Sequence, residues 1–381
     1  MSKPKLEIVA LRKVYDNGAV VAVDNIDLTV FAGETIALLG SSGCGKSTTL
    51  NMIVGMEQPT SGDIHVDGKS ILNIPPGKRN IGLVFQDYAV FTSMTVYKNL
   101  AFGLEVRKKP RSQIRKAVHD VAELLGLSER LSTSARELGG SELQRVAIGR
   151  TLVTQPDILL LDEPLSNLEA ESRLAMRKEL RRLQQEIGLT IIYVTHDQVE
   201  ALSLADRIAV MNAGKIIQAE RTSKICQHPG HVFVAGFLGS PPMNLFQGRF
   251  RLQDGNFLFE HNDFSLRLSS AWSRESMPNG WVILGVSPER LGLVPREKAQ
   301  VSGVVSRVEP RGPERVVTVI VGGQVINVLT STAATPPLVG DSIGIVFDPE
   351  EFHVFNADSN LRIELPEAKV NHGEPANRTR L

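Results

Sequence analysis

Gly40-Ser41-Ser42-Gly43-Cys44-Gly45-Lys46-Ser47 is the stretch on which the reading of this 381-residue chain turns. It follows the apolar run Thr35-Ile36-Ala37-Leu38-Leu39, bounded by Gly33 and Gly40, which has the pattern of a strand buried on both faces. A helix is predicted from Lys46 onward. Strand, Gly-x-x-x-x-Gly-Lys-Ser and helix in that order form the Walker A phosphate loop. The glycines let consecutive backbone N–H groups converge on phosphates, and the helix N-terminus adds positive potential. Lys46 then reaches the outer phosphates, and Ser47 can coordinate Mg²⁺.

Two further apolar runs end in chemistry-bearing residues. Ile158-Leu159-Leu160-Leu161 leads into Asp162-Glu163-Pro164, and Thr190 to Val194 leads into Thr195-His196. An aspartate at a strand end can hold Mg²⁺ through its water shell, and a second carboxylate beside it can orient or deprotonate an attacking water. His196 taken alone is the kind of residue more often packed or solvated than catalytic. Gln86, in Val84-Phe85-Gln86-Asp87, is on inspection a plain polar residue.

Between these runs, Ile114, Val118, Val121, Leu124 and Leu125 keep helical spacing, as do Met176, Leu180, Leu183 and Ile187. Strands alternating with helices predict a parallel α/β sheet with its chemistry at the strands' carboxyl ends. Ahead of the phosphate loop, Ile8 to Leu11, Val20 to Val23 and Ile26 to Val30 read as short antiparallel strands, with Asp16-Asn17-Gly18 as a hairpin signal. After Gly236 the pattern changes. Gly239-Ser240-Pro241-Pro242 and Pro310-Arg311-Gly312-Pro313 punctuate β-type runs at Val301 to Val308, Val316 to Val321, Val325 to Leu329 and Ile343 to Phe347. A small all-β, barrel-like domain is expected there, followed by a disordered tail from Glu367 to Leu381.

Composition narrows the function classes. Lys+Arg 42 balances Asp+Glu 42, so no global field holds nucleic acid or an anionic membrane surface. Two cysteines, Cys44 and Cys226, cannot form a disulfide framework, which suits a reducing compartment. Cys44 reads as a small residue at a variable loop position, not as a redox switch, and Cys226 has no evident partner. No run approaches the roughly 18 apolar residues of a spanning helix, and Met1 to Tyr15 lacks the core of a signal peptide. A soluble, cytoplasmic chain is the expectation.

The ordered set of Walker A at 40 to 47, Gln86, a region near 138 to 146, the carboxylates at 162 and 163, and His196 resembles the ATP-binding subunit of ABC transporters. Met94 to Leu104 is similar to the part of bacterial importer subunits that meets a membrane subunit. Gly239 to Leu245, Phe347-Asp348-Pro349-Glu350, His353 and Leu361-Arg362-Ile363 resemble the carbohydrate branch, of the maltose and glycerol-3-phosphate type.

The resemblance implies an ABC ATPase domain over 1–240, with a helical subdomain about 88–155, and an OB-like regulatory domain over 241–366. It implies ATP and Mg²⁺ as ligands. ATP would be met by Tyr15 through adenine stacking and by Gly40, Ser41, Ser42, Gly43, Cys44, Gly45, Lys46, Ser47 and Thr48. Mg²⁺ would be met by Ser47, Gln86 and Asp162, with Glu163, His196 and Gln86 as the catalytic set. The partners implied are a second ATPase subunit in a homodimer, two integral membrane permeases and, indirectly, an extracytoplasmic solute-binding protein. The place implied is the cytoplasmic face of the inner membrane.

The resemblance is broken at particular positions. Leu-Ser-Gly-Gly-Gln is usual before Gln144-Arg145-Val146-Ala147, but here Gly139 stands for the serine, Gly140 is kept, Ser141 stands for the second glycine and Glu142 for the glutamine. A hydroxyl is lost and a negative charge is placed where the partner's polyphosphate is expected. Either Ser141 or the helix N–H groups can compensate. Glu169 stands for aspartate in the D-loop, Phe91-Thr92-Ser93 lacks a proline, and Ser287 stands for arginine. A slowed ATPase is expected. The competing readings are an importer of polyamine, iron or oxyanion, a turnover-deficient regulatory protein, and a nucleic-acid-associated ABC ATPase. The last would need a basic face, and Arg107 to Arg111 is too short for one.

Overall fold

Alternating apolar residues make the opening of the chain a set of strands. In the computed structural model, which describes residues 3–253, 256–268, 278, 280–332, 335–348 and 352–364, the order begins β1 (Pro4–Tyr15), β2 (Val20–Phe31), β3 (Thr35–Leu39) and α1 (Lys46–Val54). β4 (Ser61–Val66), β5 (Lys69–Ser70) and β6 (Ile81–Val84) follow. Then come α2 (Val96–Val106), α3 (Arg111–Leu124), α4 (Gly140–Leu152), β7 (Ile158–Asp162), α5 (Ala170–Ile187) and β8 (Thr190–Thr195). α6 (Gln198–Leu204), β9 (Arg207–Asn212) and β10 (Lys215–Arg221) complete this part.

The predicted short runs before the phosphate loop merge into two long strands joined by a tight turn at Asp16–Gly18. Register shifts around Leu11, with Ala10 at φ 44° and Asn25 at φ 49°, absorb the residues that break strict alternation. This antiparallel sheet has the order β2-β1-β4-β5.

The second sheet has the order β10-β9-β3-β8-β7-β6 and is parallel except for β10 at its edge. Its central strands bury both faces by simple alternation. Leu159 and Leu161 of β7 and Ile191 and Tyr193 of β8 join a core shared with α2, α3, α4 and α5. Ile158, Leu160, Ile192 and Val194 join the opposite core, with α1 and the antiparallel sheet. Truncating fully buried Leu160 to alanine would cost about 3 kcal/mol. In α3 the buried residues Ile114, Val118 and Ala122 recur every four positions, which is why the segment folds as a helix against α2 and α4.

Compact units divide at Ile225/Cys226. The Val232 N–H donates to the Asn360 carbonyl and the Arg362 N–H to the Gly230 carbonyl, both at 2.9 Å, tying this stretch to residues near the end of the described chain. After α7 (Thr222–Gln227) and α8 (Val232–Phe237), the second unit is all β. Its strands are β11 (Asn244–Gln253), β12 (Asn256–Glu260), β13 (Ser265–Arg267), β14 (Val282–Val286), β15 (Leu291–Val294), β16 (Val301–Arg311), β17 (Glu314–Val321), β18 (Gln324–Ser331), β19 (Ser342–Phe347) and β20 (His353–Asn356). They form two antiparallel sheets, β13-β12-β11-β14-β20 and β15-β19-β16-β17-β18. Both sheets contribute to one core that includes Phe246, Leu284, Val317, Ile326 and Val354. Pro349, Glu350 and the tail 367–381 lie outside the described residues. Among the described residues, no helix is long and apolar enough to cross a membrane.

Candidate nucleotide site

Strand register assembles the site. Leu39 pairs with Thr195, Leu161 with Tyr193 and Asp162 with Val194, so the residues following β3, β7 and β8 emerge side by side at the carboxyl edge. Gly40, Glu163 and His196 are those residues.

The phosphate loop is fixed by close approach. A Cβ at Gly40 would strike the Met211 carbonyl and sit 2.6 Å from Cys44 Sγ, and one at Gly45 would strike the Ala22 carbonyl. Gly43 and Gly45 have φ of 79° and 106°, in the left-handed region that glycine alone adopts freely. Gly45 caps α1 with no side-chain hydrogen bond, leaving the first N–H groups of the helix open. Lys46 is 5% exposed, and its ammonium donates to the carbonyls of Gly40 at 2.8 Å and Ser41 at 2.9 Å. Cys44 is buried, whereas Ser41, Ser42, Gly43 and Ser47 are exposed and Thr48 is half-buried.

Ser47 Oγ donates to Asp162 Oδ1 at 3.4 Å. Burial, then the neighbouring Glu163 charge, pushes the Asp162 carboxyl above its ordinary value, against the Ser47 hydrogen bond and Lys46. A hydroxyl and a partly desolvated carboxylate side by side are hard oxygen donors, which fits Mg²⁺ completed by phosphate oxygens and water. Among the described residues no group of three His, Cys, Asp or Glu could hold a metal.

Glu163 has φ 42°, held there by its N–H donating to the Val194 carbonyl at 3.0 Å and by the Ser166 hydroxyl on its own carbonyl at 2.9 Å. Its Oε2 lies 3.1 Å from His196 Nδ1. Gln86 is exposed, and its carbonyl accepts from Asn167 Nδ2 at 2.9 Å, which links it to the D-loop. Tyr15 is half-buried at the end of β1, with the Lys13 ammonium 4.8 Å over its ring.

The remaining predicted residues lie on two helix starts. Gly139 caps α4 and has no side chain to contribute; instead Glu142 Oε2 accepts the Gly139 N–H at 3.2 Å. Gly140 is exposed and Ser141 half-buried. Glu169 caps α5 without a side-chain hydrogen bond. Phe91 is held without a proline, its backbone exchanging hydrogen bonds with the Asn99 side chain at 2.9 and 3.0 Å.

One cluster was not anticipated. Glu200, 3% exposed, accepts from Tyr193 Oη at 2.7 Å and Thr195 Oγ1 at 2.9 Å, and Arg173 Nε approaches it at 3.9 Å. The Tyr193 hydroxyl is pushed well above its usual range, first by burial and then by the Glu200 charge. Asp197-x-x-Glu200 reads as a capping box. Here Asp197 does cap α6, but the Thr195 hydroxyl accepts the Asp197 N–H at 2.9 Å and Glu200 turns inward. The cluster thereby fixes the residues on both sides of His196.

The ABC transporter family model matches residues 23–166, and the TOBE domain model matches residues 284–355. The chain is 43% identical over 374 residues to the trehalose/maltose import ATP-binding protein MalK of Thermococcus litoralis, covering 94% of this chain and 99% of that protein. It is 39% identical over 364 residues to the sn-glycerol-3-phosphate import ATP-binding protein UgpC of Pectobacterium atrosepticum, at the same coverages of 94% and 99%. A solved component of the ABC transporter complex cbiONQ from Clostridium perfringens superposes with a TM-score of 0.55 at 32% identity, covering 58% of this chain and 91% of that one. A phosphate loop set beside two carboxylates and a histidine, on a chain so related, leaves one conclusion: it belongs to the ATP-binding proteins of ABC transporters and hydrolyses ATP.

Proposed function

We propose that the chain powers import of a sugar or a glycerol phosphate through two separate membrane permeases, at the cytoplasmic face of the inner membrane, as a homodimer that closes on ATP. An extracytoplasmic solute-binding protein would deliver the solute. Support for the substrate class comes from the names of the relatives, one a trehalose/maltose and one a glycerol-3-phosphate import protein. We place the ATPase machinery within 1–240, its helical subdomain at about 88–155 and a regulatory OB-like domain within 241–366.

The observation that carries the catalytic reading is the 3.1 Å contact between Glu163 and His196 at the strand ends, beside the phosphate loop. In this reading Lys46 and the open N–H groups of α1 hold the phosphates. Ser47, Asp162 and Gln86 would hold Mg²⁺, which supplies charge neutralisation across the outer phosphates. Glu163 takes the proton of the attacking water, and His196 holds Glu163 and meets the terminal phosphate. Gly139, Gly140, Ser141 and Glu142 face the nucleotide of the second copy, Glu169 couples the two sites, and Tyr15 exchanges Lys13 for the adenine ring. Closure works by population shift: the closed dimer binds nucleotide better than the open one.

Glu163→Gln keeps the shape and removes the base, so the variant should trap an ATP-bound dimer detectable by sedimentation. A variant that stays monomeric with ATP and Mg²⁺ would show that Glu163 is not the water-activating group. Substrate is read by copurifying the chain with its membrane and solute-binding partners and screening sugars, glycerol phosphates, polyamines, iron and oxyanions.

A further inference from the structure

The carboxylate that replaces glutamine in the α4 turn has two partners. Glu142 Oε2 accepts the Gly139 N–H at 3.2 Å, and Glu142 Oε1 lies 3.2 Å from Arg130 Nε. Arg130 sits in the short turn Ser128–Arg130, outside every motif that the sequence singles out. Its side chain is 55% exposed and that of Glu142 27% exposed, so the pair adds little to folding stability. What the pair determines is where the carboxylate sits and how much of its charge is felt. Gly139 and Gly140, on the same turn, are exposed to an approaching molecule.

A carboxylate free to rotate on this turn would lie inside the Debye length of about 8 Å from a phosphate bound at the start of α4 and repel it. Held back on the Gly139 amide and facing a guanidinium, the same group has its charge partly offset. The Gly139 N–H is then spent, while the other first-turn N–H groups of α4 remain for an anion.

We propose that Arg130 is a positioning residue for ATP-driven dimerisation: by pairing with Glu142 it pins that carboxylate on the chain's own Gly139 amide and partly offsets its charge toward the polyphosphate that a second copy presents. This rests on the reading that the α4 turn meets the partner copy's nucleotide. It assigns Arg130 a task that exists because Glu142 is acidic, so the two residues must act as a unit.

The test uses the full-length chain carrying Glu163→Gln, so that bound ATP is retained, and reads by sedimentation the ATP concentration giving half-maximal dimer. Arg130→Gln should raise that concentration about tenfold, and Arg130→Lys should restore it to within about twofold. Added to Glu142→Gln, whose amide oxygen still accepts the Gly139 N–H, Arg130→Gln should change it less than about twofold. ATP binding to the monomer, made by the phosphate loop alone, should be the same in all variants. A tenfold cost of Arg130→Gln that persists beside Glu142→Gln, or no cost in either background, overturns the proposal alone. A Glu163→Gln chain that binds ATP and never dimerises overturns the proposal together with the reading of the turn.

Discussion

Two glycine-marked turns in this molecule each lead into a helix, and the two helix starts are treated oppositely. At α1, Gly45 takes φ 106° and no side chain caps the N-terminus, which is left open over the phosphate loop. At α4, Gly139 takes an ordinary φ of −73° and the turn is closed by its own Glu142. The backbone device is the same, a cluster of N–H groups with positive potential. What differs is whether an internal carboxylate already occupies it. The contrast teaches that the same backbone device is left open at the phosphate loop and is partly occupied by the chain's own carboxylate at α4.

The contrast breaks most sharply by steric means. Gly40→Ala should lower ATP affinity by more than ~100-fold in a binding titration, because its Cβ meets the Met211 carbonyl and Cys44 Sγ. At Gly139 a Cβ meets nothing within 4 Å, so substitution there tests chemistry instead of packing. Gly139→Ser should raise steady-state hydrolysis in the assembled transporter about three- to tenfold by returning a hydroxyl to the turn. An unchanged or lower rate would mean that the missing hydroxyl is not what limits turnover.

A smaller effect concerns the open site. Asp162 is raised above the ordinary carboxylate value chiefly by burial, so its ionised form costs stability in the fold. The sign follows from linkage: that cost is absent below the unfolded-state value near pH 4 and complete above the raised folded value. Asp162→Asn should therefore abolish hydrolysis yet raise Tm by about 1–2 °C at pH 8, a gain that fades as pH falls toward 4. A variant that melts lower than wild type at pH 8 would show that Asp162 is held by favourable contacts stronger than its burial.

The phosphate loop was fully legible in the sequence because its constraints are local: glycines at set spacing, an apolar run before them and a helix after. The α/β alternation was legible for the same reason, since Ile158 to Leu161 and Thr190 to Val194 carry a strand's period within a few residues. The Glu200 cluster was not. Its partners Tyr193 and Arg173 reach it through the packing of α5, α6 and β8, and its local pattern suggests a reciprocal capping box of which the fold uses only the Asp197 half. Arg130 was hidden likewise, since a charged residue in a short exposed turn looks like solvated surface until Glu142 is seen beside it. That residues 226–240 group with the second compact unit is not legible locally, because the hydrogen bonds that tie them there involve Asn360 and Arg362, more than a hundred residues on.

This chain turns over ATP through its own loop despite the closed α4 turn. Phosphate release by the wild-type full-length chain with ATP and Mg²⁺, against Lys46→Ala, tests it most directly. Lys46 is the buried ammonium on the loop carbonyls, and removing it should slow release at least ~100-fold while the wild type continues through many turnovers. A wild-type rate no higher than that of Lys46→Ala would contradict the account.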